Sequence, residues 1–107
     1  MSDQPSFEFL ADELEQKSKN LGNLGVTLKF TFEGMGNVFI DARQDQPSLS
    51  RNSDQKADFM VSAPLKVWMD LRAKRIAPHV AAMTRKIKFE GDMVKGMKLA
   101  PKIMAVL

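Results

Sequence analysis

Arg85 to Leu107 reads RKIKFEGDMVKGMKLAPKIMAVL. Its first part alternates, with Ile87 and Phe89 facing one way and Lys86, Lys88 and Glu90 the other, the period of a half-buried strand. Glu90-Gly91-Asp92 turns the chain, and the period then changes. Met93, Met97, Ala100, Met104 and Leu107 recur at steps of four, three, four and three, one apolar stripe along a helix, with Lys95, Lys98 and Lys102 on the wet face. Pro101 removes a backbone donor and clashes with the preceding turn. The stretch therefore predicts a strand at Ile87–Glu90, a helix from Met93 to about Leu99, and a last turn or two hinged at Ala100-Pro101. An end as apolar as Met-Ala-Val-Leu either closes a core or covers the mouth of a cavity.

Working back from this stretch, Pro78 opens a short helix carrying Val80, Ala81 and Met83. Before it, Leu65, Trp68, Met69 and Leu71 or Arg72 follow at helical spacing, with Ser62 as the expected N-cap and Pro64 in the first turn. Ala57 to Ser62 reads as a strand with Phe59 and Val61 inward and Asp58 and Met60 outward. Gln44 to Lys56 is polar and rich in turn formers, with a short strand expected near Ser48–Arg51. Val26 to Phe32, VTLKFTF, is the cleanest strand: Val26, Leu28, Phe30 and Phe32 alternate with Thr27, Lys29 and Thr31. A glycine-bearing turn, Glu33 to Asn37, returns it as Val38–Arg43, with Val38, Ile40 and Ala42 inward. Phe39 breaks the polar rule on the outer face, as a packed edge or a contact site. Residues 6–20 form an amphipathic helix with Phe7, Leu10, Ala11 and Leu14 on one face, ended by NLGNLG.

Strands that are polar on one side need helices on the other side only, which is the α+β two-layer class. The excursion between the fourth and fifth strands is long enough for a parallel crossover. The expectation is one domain over residues 1–107, large enough for a core.

The composition narrows the chemistry. The chain has no cysteine or tyrosine and one histidine, His79, so thiolate catalysis, disulfides and cysteine metal sites are excluded. Asp41, Asp58, Asp70, Glu90 and Asp92 are scattered singly, without glycosidase or metal spacing. Neither Gly34–Gly36 nor Gly91–Gly96 has the phosphate-cradling pattern. An enzyme is not expected, nor a metal or other cofactor. No run reaches the ~18 apolar residues of a membrane span, and the N-terminus lacks a signal peptide's regions, so the default is a soluble cytoplasmic protein.

Charge is unevenly spread over a net of +3. Residues 1–54 hold five Lys/Arg against nine Asp/Glu, and residues 55–107 eleven against four. Such a half is a surface for phosphates or anionic lipid head groups, or a solvated basic face. Nucleic acid is not favoured, because exposed aromatics do not interleave with the cations. Methionine is over-used, with eight in the chain. Met69, Met83, Met93, Met97 and Met104 are expected on inward helical faces, either lining a pliable cavity beside Phe30, Phe32, Phe89 and Trp68 or filling gaps in a dry core.

The ordered set GVTLKFTFEGMGNVFIDAR, KADFMVSAPLKVWMDL and KIKFEGDMVKGMKLAP resembles the sterol carrier protein type 2 domain family over about residues 6–100. The late strand, its Gly91-Asp92 turn and the Met/Leu helix through Gly96–Leu99 carry most of the likeness. The resemblance implies a five-stranded mixed sheet covered on one face by helices. These would enclose a hydrophobic tunnel for fatty acids, acyl-CoA, phospholipids or sterols, held without covalent chemistry. Carried over, it would be lined from the strands by Leu28, Phe30, Phe32, Val38, Ile40, Phe59, Val61, Ile87 and Phe89. The helices would add Trp68, Met69, Val80, Met83, Met93, Met97 and Met104. Residues 72–85 depart from the family in being longer and more basic, and the peroxisomal Ser-Lys-Leu tail is replaced by Ala-Val-Leu.

The expected function is non-catalytic lipid binding and transfer. Lys95, Lys98, Lys102 and the cations of Arg72–Arg75 would aid transient docking to anionic membranes. Two other readings are an accessory protein presenting an isoprenoid or lipid intermediate to biosynthetic enzymes, and a ligand-free interaction module, including a homodimer.

Overall fold

The computed structural model describes residues 6–104, except for the side chains of Pro78, His79, Ala82, Met93, Ala100, Ile103 and Met104. Its elements are α1 (Phe7–Ser18), β1 (Val26–Glu33), β2 (Gly36–Ala42), β3 (Ser48–Arg51), β4 (Phe59–Pro64), α2 (Leu65–Arg72), α3 (Pro78–Met83), β5 (Lys88–Gly91) and α4 (Met93–Met104).

Alternation decides the sheet. The β1–β2 hairpin pairs antiparallel with Leu28 opposite Ile40 and Phe30 opposite Val38, so both apolar rows fall on one face. β3 adds antiparallel to β2, with Leu49 opposite Ile40. β4 joins the other side of β1 in parallel, with Leu28 opposite Phe59 and Phe30 opposite Val61. β5 closes that side, antiparallel to β4. The strand order is β3-β2-β1-β4-β5, a five-stranded mixed sheet. The parallel pair is thus β1–β4, not the expected β4–β5 crossover. Two helices in succession lead the chain out and back to the end of the sheet it left, so β5 runs against β4.

Helices cover the face that carries Leu28, Phe30, Phe32, Val38, Ile40, Phe59 and Val61, all buried. α1 contributes Leu10, Ala11 and Leu14 to this core, α2 contributes Trp68 and Leu71, and α3 contributes Ala81. On the opposite face Phe39 is buried too, in register with Lys29 and Ser50, so it is a packed residue and not a contact site. Removing this apolar area from water at ~25 cal/mol per Å² is the main drive for assembly.

Local signals set the ends. Ser6 accepts a bond from the Phe9 N–H at 3.1 Å and caps α1. Ser62 does not cap α2: it stays in the sheet, opposite Thr31 and Lys88, and Pro64 is the last extended residue before the helix. A proline has no N–H to give, so it suits that boundary. α4 runs through Pro101 to Met104 as one element.

Candidate functional site

Two aromatic groups lie under the helices. The first is set by α1, β1 and α2. Trp68 lies edge-on to Phe32, with ring centroids 4.9 Å apart, and to Phe30 at 6.0 Å; Phe7 of α1 meets Phe32 at 6.0 Å. The Trp68 Nε1–H donates to the carbonyls of Ala63 at 2.9 Å and Thr31 at 3.1 Å, so the indole is fixed across the β1–β4 pair. Above these rings is a shallow cleft of about 20 Å³, open to solvent, lined by Leu10, Glu13, Leu14, Lys17, Phe32, Trp68 and Arg72.

A charged clasp spans its rim. Arg72 of α2 donates from Nη2 to Glu13 Oε1 of α1 at 2.6 Å and from Nε to Oε2, and its guanidinium lies 5.2 Å from the centre of the Phe9 ring. These hydrogen bonds hold the Glu13 carboxyl below the usual glutamate range.

The second group is the stack of Phe59 on Phe89, centroids 5.7 Å apart, beneath α4. Gly96 seats the helix there. A Cβ at Gly96 would lie 3.0 Å from Phe89 Cζ and 3.4 Å from Phe59 Cε1, so the helix backbone sits close on the two rings and a side chain here would need them to give by a few tenths of an ångström. Leu99 is the half-buried partner of that seat.

This seat changes the reading of the helices. Met97 is 74% exposed, Met83 80%, Val94 67% and Val80 39%; Val80, Met83 and Met97 therefore do not face inward as the spacing predicted. The apolar period locates a stripe, but the closest approach of backbone to sheet decides which side is buried. In α4 the bare backbone at Gly96 wins, turning Met97 outward. Met93 and Met104 lie outside the described side chains. Met69 is half-buried, Phe89 half-buried and Ile87 buried. Of the expected lining residues, Phe32 and Trp68 reach the cleft; Leu10, Leu14, Glu13 and Arg72 were not assigned to it. The i, i+4 spacing of Leu10 and Leu14 was their visible signal, whereas Glu13 and Arg72 meet only in the fold. No elongated tunnel is evident among the described residues, where the inner face packs closed on itself and on α1 and α2.

Two cations expected to dock head groups are neutralised: Arg72 by Glu13 and Arg75 by Asp70 at 2.8 Å. No helix among the described residues is long and apolar enough to cross a membrane.

Comparison with known proteins agrees with the geometry. The model of the SCP-2 sterol transfer family matches residues 7–103. Among solved structures, sterol carrier protein 2 like 2 from Aedes aegypti has a TM-score of 0.70 at 17% identity, over 94% of each chain. The solution structure of a palmitated form of that protein matches with a TM-score of 0.68 at 16% identity, over 95% of this chain and 94% of that one. Sterol carrier protein domain 2 of Helicoverpa armigera matches at 24% identity and a TM-score of 0.65, over 92% of this chain and 84% of that one. No curated protein matches significantly. With the family model spanning nearly the whole chain, this protein belongs to the SCP-2 sterol transfer family.

Proposed function

We propose that this domain binds and transfers a lipid with a long acyl chain, without making or breaking a covalent bond. The observation that carries the reading is the apolar cleft between α1 and α2, floored by Phe32 and Trp68 and continuous with the buried inner face of the sheet. The cleft itself is shallow, about 20 Å³, and marks where a chain end would first meet apolar side chains. The rest would enter by parting the side chains below it, Phe30, Phe59, Val61 and Ile87 among them. Each CH₂ transferred from water contributes ~0.8 kcal/mol, so a long chain meets the cost of that opening without a polar anchor. The palmitated form of the Aedes aegypti relative supports the ligand class.

Trp68 is the only tryptophan and lines the cleft, so it reports the event directly. Titration with palmitate is expected to shift its emission saturably, and native mass spectrometry to show one bound chain. An unchanged emission together with a ligand-free mass spectrum would sink the proposal. A second reading, a ligand-free interaction module, draws on the closed packing of Phe30, Phe59, Leu28, Ile40 and Val38, each almost wholly buried. That same negative pair of results is the outcome it requires.

A further inference from the structure

We infer that the surface built by α3, β5 and α4 docks the domain onto an anionic lipid bilayer. The three elements belong together at one edge of the molecule. β5 is the outermost strand beyond β4. The N–H groups of Lys86 and Ile87 donate to the Ala81 carbonyl, tying the end of α3 to the start of β5. Gly96 seats α4 on Phe89 of β5.

Charge balance separates this edge from the remainder of the described chain: residues 76–104 carry six Lys/Arg against two Asp/Glu, whereas residues 6–75 carry ten against ten. Arg43 pairs with Asp41, Arg51 with Glu8 and Asp12, Arg72 with Glu13, and Arg75 with Asp70. Among the described residues all the ion pairs are made by arginines, and none lies beyond Arg75. Arg85, Lys86, Lys88, Lys95, Lys98 and Lys102 are all exposed, and none makes an ion pair among the described residues. The acids of the edge are Glu90, exposed on β5, and Asp92, whose Oδ1 accepts from the N–H groups of Val94 and Lys95 at the start of α4.

The same edge carries the exposed apolar residues Val80, Met83, Val94 and Met97. With Gly96 and Leu99 turned to the sheet, Val94, Met97 and Pro101 fall at i, i+3 and i+7 on the outer side, and Lys98 and Lys102 flank them. Aliphatic side chains bordered by unpaired lysines form the pattern of a helix lying in a bilayer interface, chains among the acyl groups and ammoniums at the phosphates. Among the described residues no exposed aromatic accompanies them to stack bases, which disfavours a nucleic acid at this surface. The docking face gives the carrier proposed above its donor and acceptor surface; it rests on that reading for its purpose, not for its test.

The test is co-sedimentation of the full chain with vesicles of phosphatidylcholine containing about one-third phosphatidylglycerol, against pure phosphatidylcholine. Replacing Lys95, Lys98 and Lys102 together by Gln is expected to lower partitioning onto the anionic vesicles ~100-fold. Raising salt until the Debye length falls from ~30 to ~3 Å is expected to do the same to the wild type. Val94→Gln with Met97→Gln, which leaves every charge in place, is expected to weaken partitioning about tenfold by removing the inserted chains. Equal charge removal elsewhere, at Lys19, Lys29 and Lys56, is expected to change it less than about threefold. Equal loss from the two lysine triples, or no preference for the anionic vesicles, overturns the inference. So does a wild-type dimer in sedimentation that the Val94/Met97 pair abolishes, since the face would then join two copies of this chain. The same variants are titrated with palmitate in solution. Retained Trp68 response with lost vesicle binding assigns the effect to docking, whereas vesicle binding without any wild-type palmitate response removes the carrier reading and leaves the docking face standing.

Discussion

Thr27 and Asp58 make a closed exchange at the start of the parallel strand pair. The Asp58 N–H donates to Thr27 Oγ1 at 2.8 Å, while Asp58 Oδ2 accepts from the Thr27 N–H at 2.9 Å and from its hydroxyl at 3.2 Å. Thr27 is buried, so water does not replace a lost partner. Thr27→Val keeps the shape and removes the hydroxyl, orphaning the Asp58 N–H. The expected cost is ~1–3 kcal/mol, read as a lower midpoint in urea with the slope unchanged. Neither role was legible in the chain. Alternation placed both residues on the polar side of their strands, but it contains no information about which polar residue of β4 meets which of β1. Gly96 makes the same point from the apolar side. Period four-three-four-three marks Met97 as inward, yet α4 lays Gly96 against the rings and leaves Met97 exposed, and no apolar count registers a missing side chain.

The elements themselves were far more legible than the links between them. VTLKFTF announces β1 because a period of two with Phe and Val has no competing helical reading, and Ser48–Arg51 appears as β3 where it was expected. What spacing cannot give is the tie from α1 to α2, because Glu13 and Arg72 are remote in the chain and each looks like an ordinary solvated charge. With Glu13 held below its usual range by the Arg72 hydrogen bonds, the folded state binds a proton there less readily than the unfolded chain does. The clasp therefore stabilises the fold above the ordinary glutamate range, and this contribution fades as pH falls through that range and past the lower folded value. Glu13→Gln is expected to lower stability by under about 1 kcal/mol at neutral pH, because the pair is partly exposed, and to flatten this part of the acid limb. Thermal melts of both proteins from pH 7 to about pH 3 measure it; parallel curves for the two would contradict the assignment.

At the scale of the molecule, burial is concentrated in β1, β2 and β4, whose inner faces are closed, whereas the described contacts of α3 and α4 with the core run through Ala81, Leu99 and the Gly96 seat. Hydrogen exchange is expected to be slowest at Leu28, Phe30, Val38, Ile40 and Val61, and faster by at least about tenfold along α4. Equal protection in α4 and β1 would contradict this distribution. The parallel pairing of β1 with β4 has a further consequence, in the order of assembly. β1 and β2 meet across a tight turn and zip on a scale of ~1–10 μs. β4 has no such neighbour; it finds β1 only after the whole intervening stretch, β2 and β3 included, has looped back. Closure of that loop is then the step expected to limit folding, and a nascent chain emerging from the ribosome is expected to hold an unpaired flank on β1 until Phe59 to Pro64 has been made.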